Sequence, residues 1–380
     1  MTTARPEWVL KRRDVSQPPV SARAEKRVDF IDTLRCVAAS AVVMQHVCEG
    51  SDVPLLRHLT DFSPGVFGVV LFFLVSGFVM PISVRGGLEP VSFALRRVFR
   101  IYPALLFAFA LWAMVDLMLG GGGSLVRRAS VGAWVANLLL VQDFVGMPAF
   151  LGVTWTLILE FGWYGLFALS WRRLSGRSGS FLAVAMPLGM VALVLVSLVT
   201  GTRLPLGRVG MIYAAITGFQ ACRWFMGEIG NRPFGASAAS FLIVMAGANA
   251  VSFGYFRHPA ISFGQSFWPW LIAPVLFLAA LLPPVRRSRV MNNRVLAWLG
   301  SISLSIYLLH PIAMALCAGV TPDLAKIGFT LAVTLALSWA CFQAIERPGI
   351  ALGRRLARRH ASRSPRGEVQ VAGGQGVVPG

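Results

Sequence analysis

Charge is scarce in this chain. Only 13% of its 380 residues are Asp, Glu, Lys or Arg, and the two acids together number 16. A soluble domain carries about a quarter charged residues, so the composition excludes an ordinary cytosolic enzyme and a disordered chain alike. Lysine is nearly missing, because 32 of the 35 cationic residues are Arg. The five cysteines, Cys36, Cys48, Cys222, Cys317 and Cys341, show no CxxC and no Cys/His ligand spacing. That argues against zinc and against a disulfide framework, and reads them as buried thiols. There is no Walker or dinucleotide glycine pattern, no GxSxG elbow and no internal repeat. Gly120 to Gly123 has no Lys-Ser/Thr after it and reads as a flexible outer turn rather than a phosphate cradle.

What is abundant is apolar sequence, 56% by the AVILMFWYC count. The net charge of +19 would suit a nucleic-acid binder, but no basic stripe interleaved with aromatics accompanies it. The cations sit instead in short segments between long apolar runs, the layout of a polytopic membrane protein facing an anionic leaflet. Runs of roughly 17 to 25 mostly apolar residues cross a bilayer. Ten are expected, at 31–49, 65–83, 101–119, 152–171, 181–200, 208–226, 236–254, 266–283, 296–316 and 325–344. Residues 131–142 are too short to cross and read as re-entrant or interfacial. The expected fold is an all-α bundle of about ten transmembrane helices, with no nucleic-acid partner and no required protein partner.

Positive residues are retained on the cytoplasmic side. With the N-terminus inside, 27 of the 35 cations fall in cytoplasmic segments and seven in the opposite loops, which puts both termini in the cytoplasm. Residues 1–30 read as a disordered basic lead, 31–346 as the membrane unit, and 347–380 as a tail that is first basic and then Gly/Val-rich. The first apolar run contains Arg35 and His46 and lacks a small-residue cleavage site, so it reads as a retained helix rather than a signal peptide.

Ionisable side chains inside spans are costly unless they face protein or water, so each is a functional candidate. Arg35 and His46 are eleven residues apart on the first span. At about 100° per residue they return to within roughly 20° of one another, and at 1.5 Å per residue they lie roughly 16 Å apart along the axis. Asp32 stands one turn before Arg35 and can neutralise it. The bland reading makes Asp32 and Arg35 an end anchor and His46 a packing residue. Glu160 in the fourth span and His310 in the ninth are expected at the depth of His46, as a shared proton-transfer site or as separate helix–helix hydrogen bonds. Arg96, Arg97 and Arg100 fall within a turn and a half of helix; such a cluster anchors a loop, and its guanidinium forks also suit phosphates. An inner arginine cluster, an inward Arg35 and an outer His46 make sense together if a phosphorylated donor binds inside and passes a group outward.

Several segments resemble, in order, the acyltransferase-3 family of integral-membrane acyltransferases. LRCVAASAVVMQH resembles its Arg-x10-His signature at Arg35 and His46, and VVLFFLVSGFVM its Ser-Gly-Phe phrase at Ser76, Gly77 and Phe78. RVFR resembles Arg-x-x-Arg at Arg97 and Arg100, and TWTLILEFGWYGLF the Trp-Ser-Leu-x-x-Glu phrase at Trp155, Thr156, Leu157 and Glu160. SISLSIYLLHPI resembles the late Ser-x-x-Tyr-x-x-His segment, and AIERP the closing Glu-Arg-Pro. The chain departs from the pattern in having one acid at Glu160 where many members have two, in Thr156 for Ser, and in having no SGNH-type esterase domain after the last span.

The resemblance implies acyl transfer, often of acetyl, from cytoplasmic acyl-coenzyme A to a hydroxyl of a saccharide, cell-envelope glycan or secondary metabolite, in a bacterial cytoplasmic membrane. It implies His46 as base, Arg35 as its partner in the donor channel, Arg97 and Arg100, with neighbouring Arg96, on the coenzyme A phosphates, and Glu160 lining the site. Asp32, Trp155, Ser76 and His310 are further substrate-site candidates, and no metal is expected. His46 as proton acceptor and His46 as the carrier of an acyl group both remain open. The alternative from another class is a proton-coupled transporter or flippase that uses His46, Glu160 and His310 as a relay.

Overall fold

The computed structural model describes residues 29–49, 51, 53–84, 87–174, 181–258 and 261–363; residues 1–28 of the expected lead and the Gly/Val-rich 364–380 lie outside them. Among the described residues the chain is helical and contains no strand. The main helices are α1 (Asp29–Glu49), α2 (Pro64–Ser83), α3 (Pro90–Leu119), α4 (Val131–Leu138), α5 (Trp155–Leu174), α6 (Phe181–Thr200) and α7 (Leu206–Phe225). They continue with α8 (Asn231–Asn249), α9 (Phe263–Leu281), α10 (Arg294–Ser301), α11 (Ser303–Leu316), α12 (Asp323–Cys341) and α13 (Arg347–Arg363).

Each of the ten expected segments is helical, but they are not equally apolar. Among the described residues, seven helices are long and apolar enough to cross a membrane, or eight if α10 and α11, bent by 70° at their junction, make one span. α1 and α7 are long but fall short on hydropathy, α1 because it carries Asp29, Asp32, Arg35 and Glu49, and α7 because it carries Arg208, Gln220 and Arg223. Polar side chains of that kind need protein neighbours rather than lipid. Both helices have them, since α2 packs between α1, α7 and α9. The contrast is plain in burial: 67% of the apolar window of α2 is enclosed by protein, against 11% for α6, which faces outward.

Backbone contacts fix α1. A Cβ on Gly300 of α10 would stand 1.7 Å from the Asp32 carbonyl oxygen, and one on Gly68 of α2 would stand 2.4 Å from that of Ala38. Only glycine admits these approaches. α3 starts on a strong cap, with the Glu89 carboxylate accepting from the amides of Val91 and Ser92 at 3.1 and 2.6 Å and Pro90 in the first turn.

Residues 131–142 form the short α4 followed by a turn through Leu140 with φ 60°. Eight residues rise only about 12 Å, too little to cross. The buried Asn137 ties the turn back toward α5 by donating to Ala133 and Pro148 and accepting from the Phe150 amide, each at 2.9 Å.

The helix does not stop at 346, where the membrane unit was expected to end. α12, a π-turn at Phe342–Glu346 and α13 run on as one 40-residue helix, Asp323–Ser362. Pro348 follows the π-turn, where the hydrogen-bond ladder has already shifted, so its missing N–H does not end the helix. The Gly349, Gly353 and Ala357 face of α13 is buried against α3, and Ser92 donates to the Ala357 carbonyl at 2.9 Å. The arginines of α13 occupy the other faces.

Candidate active site

Two cavities lie on the inner side of α1 and α2, one at each end of the bundle. The first is lined by Arg35 of α1, Ser76 of α2, Arg97 and Arg100 of α3, Glu160 of α5 and Tyr307 of α11. Arg35 pairs with Asp32 at 3.2 Å, the partner one turn away. Arg97 donates to the Ser83 hydroxyl at 2.6 Å, and its guanidinium lies 5.2 Å from the ring centres of both Phe93 and Tyr164. The Tyr164 hydroxyl, one turn beyond Glu160, donates to the Glu160 carboxylate. Three guanidinium groups face one carboxylate, so the cavity is cationic and matched to phosphate oxygens.

The second cavity is lined by His46 and Gln45 of α1, Trp155 of α5, Gln265 of α9 and, again, Tyr307. Here His46 meets His310, with ring centres 5.1 Å apart, planes inclined by 23° and Nδ1 of His46 3.0 Å from Nε2 of His310. Nitrogen-to-nitrogen contact between nearly parallel rings is a hydrogen bond, and its direction follows from the next link. Nδ1 of the buried His310 lies 3.2 Å from the Ile306 carbonyl oxygen, which can only accept, so that nitrogen carries the proton. Nε2 of His310 is then the acceptor, and Nδ1 of His46 the donor. Neutral His46 therefore carries its proton on Nδ1 and leaves Nε2 free, the tautomer a base or nucleophile needs.

The chain matches the sequence model of the acyltransferase-3 family, described as an acyltransferase domain, over residues 28–343. The chain belongs to the acyltransferase-3 family. It is also similar to the acyltransferase MdmB of Streptomyces mycarofaciens, 32% identical over 162 residues, which cover 39% of this chain and 40% of that relative. The match therefore spans less than half the length of the curated relative. No solved structure matches.

In this acyltransferase-3 protein the two cavities share Tyr307 and Val69. The Tyr307 hydroxyl donates to the Val153 carbonyl at 2.9 Å and pairs with the Thr156 hydroxyl at 2.8 Å. The Thr156 hydroxyl also lies 3.2 Å from the Val153 carbonyl oxygen, so the two hydroxyls and that carbonyl close one hydrogen-bonded wall in which the Thr that replaces the family's Ser keeps a working hydroxyl.

The residues expected from sequence divide between the cavities. Arg35, Ser76, Arg97, Arg100 and Glu160 line the first, with Asp32 held to Arg35; His46 and Trp155 line the second, with His310 behind His46. Glu160 does not share the depth of the histidines. It follows Trp155 by five residues, about 7.5 Å further along α5, where guanidinium groups compensate its charge. Arg96 separates from Arg97 and Arg100 and lines a third cleft with Arg354 and Arg358. Tyr307 and Tyr164 were missed. Each had a signal in its spacing, since Tyr307 precedes His310 by three residues and Tyr164 follows Glu160 by four, which are same-face helical offsets. Among the described residues no group of three His, Cys, Asp or Glu could hold a metal, and all five cysteines are buried thiols.

Proposed function

We propose that the protein is a multi-pass O-acyltransferase of the bacterial cytoplasmic membrane, with ten spans and both termini inside. It moves an acyl group, acetyl in the simplest case, from cytoplasmic acyl-coenzyme A to a hydroxyl of a saccharide, cell-envelope glycan or hydroxylated metabolite. The observation that carries this reading is the pair of cavities meeting at Tyr307, cationic on one side and lined on the other by His46, whose Nε2 is free in the neutral form. The 27-to-seven bias of cations supports a cytoplasmic position for the arginine end.

In the proposed reaction Arg97 and Arg100 hold donor phosphates, and the thioester extends past Arg35 and Glu160 toward the Tyr307 wall. Nε2 of His46 takes the proton of the acceptor hydroxyl as its oxygen attacks the thioester carbonyl carbon. The new C–O bond forms, the C–S bond breaks, and the departing thiolate takes the proton back from His46. His310 is a positioning residue that holds the tautomer of His46 through Nδ1, as partners of functional histidines do. The wall keeps water in the outer cavity away from the thioester until an acceptor fills that cavity.

The test gives membranes containing the protein radiolabelled acetyl-coenzyme A and follows acyl turnover in the parent and in His46→Ala. Loss of a proton acceptor removes about 10²- to 10⁴-fold of rate, and turnover in His46→Ala is expected to fall by that amount. Undiminished turnover sinks the assignment. Absent acyl transfer alongside intact substrate flux in the parent makes the protein a transporter instead.

A further inference from the structure

The third cleft is not absorbed by the reaction above. It is lined by Ser83, Val84, Gly87, Arg96, Arg354 and Arg358, with no carboxylate among the described residues that line it. Arg354 and Arg358 are four residues apart on α13, so they share a face, and α13 is seated on α3, which supplies Arg96. Three like charges gathered around one space repel each other, and a bound anion relieves that repulsion. The acid at this end of α3, Glu89, is engaged elsewhere: it caps the helix and stands 3.6 Å from His360.

One hydrogen bond joins the cleft to the inner cavity. Ser83 lines the cleft and accepts from Arg97, which lines the cavity. An elongated ligand with phosphates at two points can therefore reach both. Acyl-coenzyme A is such a molecule, since its 3′-phosphate monoester branches from the nucleotide apart from the diphosphate that leads to the thioester arm. We propose that Arg96, Arg354 and Arg358 seat the 3′-phosphate of the donor while Arg97 and Arg100 hold the diphosphate. This rests on the acyl-coenzyme A reading above. The same phosphate chemistry occurs in an anionic lipid headgroup, and the two sources separate experimentally.

The experiment measures the affinity of the purified full-length protein for coenzyme A and for 3′-dephospho-coenzyme A, in vesicles of phosphatidylcholine with and without phosphatidylglycerol. The parent is expected to bind coenzyme A about a hundredfold more tightly than the dephospho form, the scale of two or three charge-assisted hydrogen bonds. In Arg354→Ala/Arg358→Ala that ratio falls to about one, through weaker binding of coenzyme A alone, and Arg354→Lys/Arg358→Lys restores part of it. Arg355→Ala/Arg359→Ala removes equal charge from the neighbouring face of α13 and leaves the ratio unchanged. Equal loss for both ligands, an unchanged ratio in the Arg354/Arg358 variant, or the same loss in the Arg355/Arg359 variant overturns the proposal. So does a loss that follows phosphatidylglycerol content rather than the 3′-phosphate, which assigns the cleft to a lipid headgroup. A parent that binds both ligands tightly and equally overturns this inference alone, whereas a parent that binds neither overturns the donor reading with it.

Discussion

The two cavities are built from different materials. The arginine cavity is walled almost wholly by helices, with α1, α2, α3, α5 and α11 each contributing, and its charges are braced by Asp32, Ser83, Phe93 and Tyr164. The histidine cavity takes much of its lining from connecting segments, including Thr60, Ser63, Gly152 and Ile261. Packed helices hold a constant shape, whereas loops tolerate change. Under the proposed function, the contrast suits a phosphorylated donor of fixed shape on the arginine side and a particular acceptor on the histidine side.

Substitutions confined to one cavity put this contrast to the test. The largest effect is expected from Arg97→Ala/Arg100→Ala, which removes two charge-assisted phosphate contacts. KM for the acyl donor should rise about a hundredfold with KM for the acceptor unchanged, and steady-state kinetics with both substrates varied checks it; a matching rise for the acceptor would erase the distinction between the cavities. Next is His310→Ala, which leaves Nδ1 of His46 without its acceptor. A fall in kcat of about ten- to a hundredfold is expected with donor affinity intact, the usual scale for a partner of a functional histidine. His310→Gln, whose side-chain oxygen can accept the same proton, should recover part of that loss, while a purely structural role for His310 would give no such recovery. Smallest is Tyr307→Phe, which removes the bonds of the Tyr307 hydroxyl to Thr156 and Val153, leaves Thr156 on the Val153 carbonyl, and costs about 1 kcal/mol in stability. Its signature is a few-fold rise in coenzyme A release without acceptor, measured by thiol titration, as water crosses the loosened wall.

Much of this arrangement is legible in the sequence because it is local. Apolar runs of span length mark the helices, and helical rotation alone places Arg35 and His46 on one face, where they reach the two separate cavities. Rotation also explains what the sequence conceals. Arg96 and Arg97 are neighbours in the chain, yet about 100° of turn sends one to the third cleft and the other to the inner cavity. The meeting of His46 with His310, 264 residues later, is a tertiary contact that no spacing announces. The continuation of α12 into α13 was hidden by Pro348, which reads as a stop unless the π-turn before it is known.

The glycine contacts on α1 carry a consequence of their own. Gly300 grips the helix backbone at Asp32 and Gly68 grips it at Ala38, so α1 cannot slide along its axis to suit a different substrate. It works as a gauge. The reach from Arg35 to His46 is set by main chain against main chain, and side-chain changes in either cavity leave it alone. In the proposed reaction a donor anchored by its phosphates delivers its carbonyl carbon to the acceptor at His46 only if its arm has the matching length, so a truncated thioester held by the same arginines is expected to stop short of the proposed base.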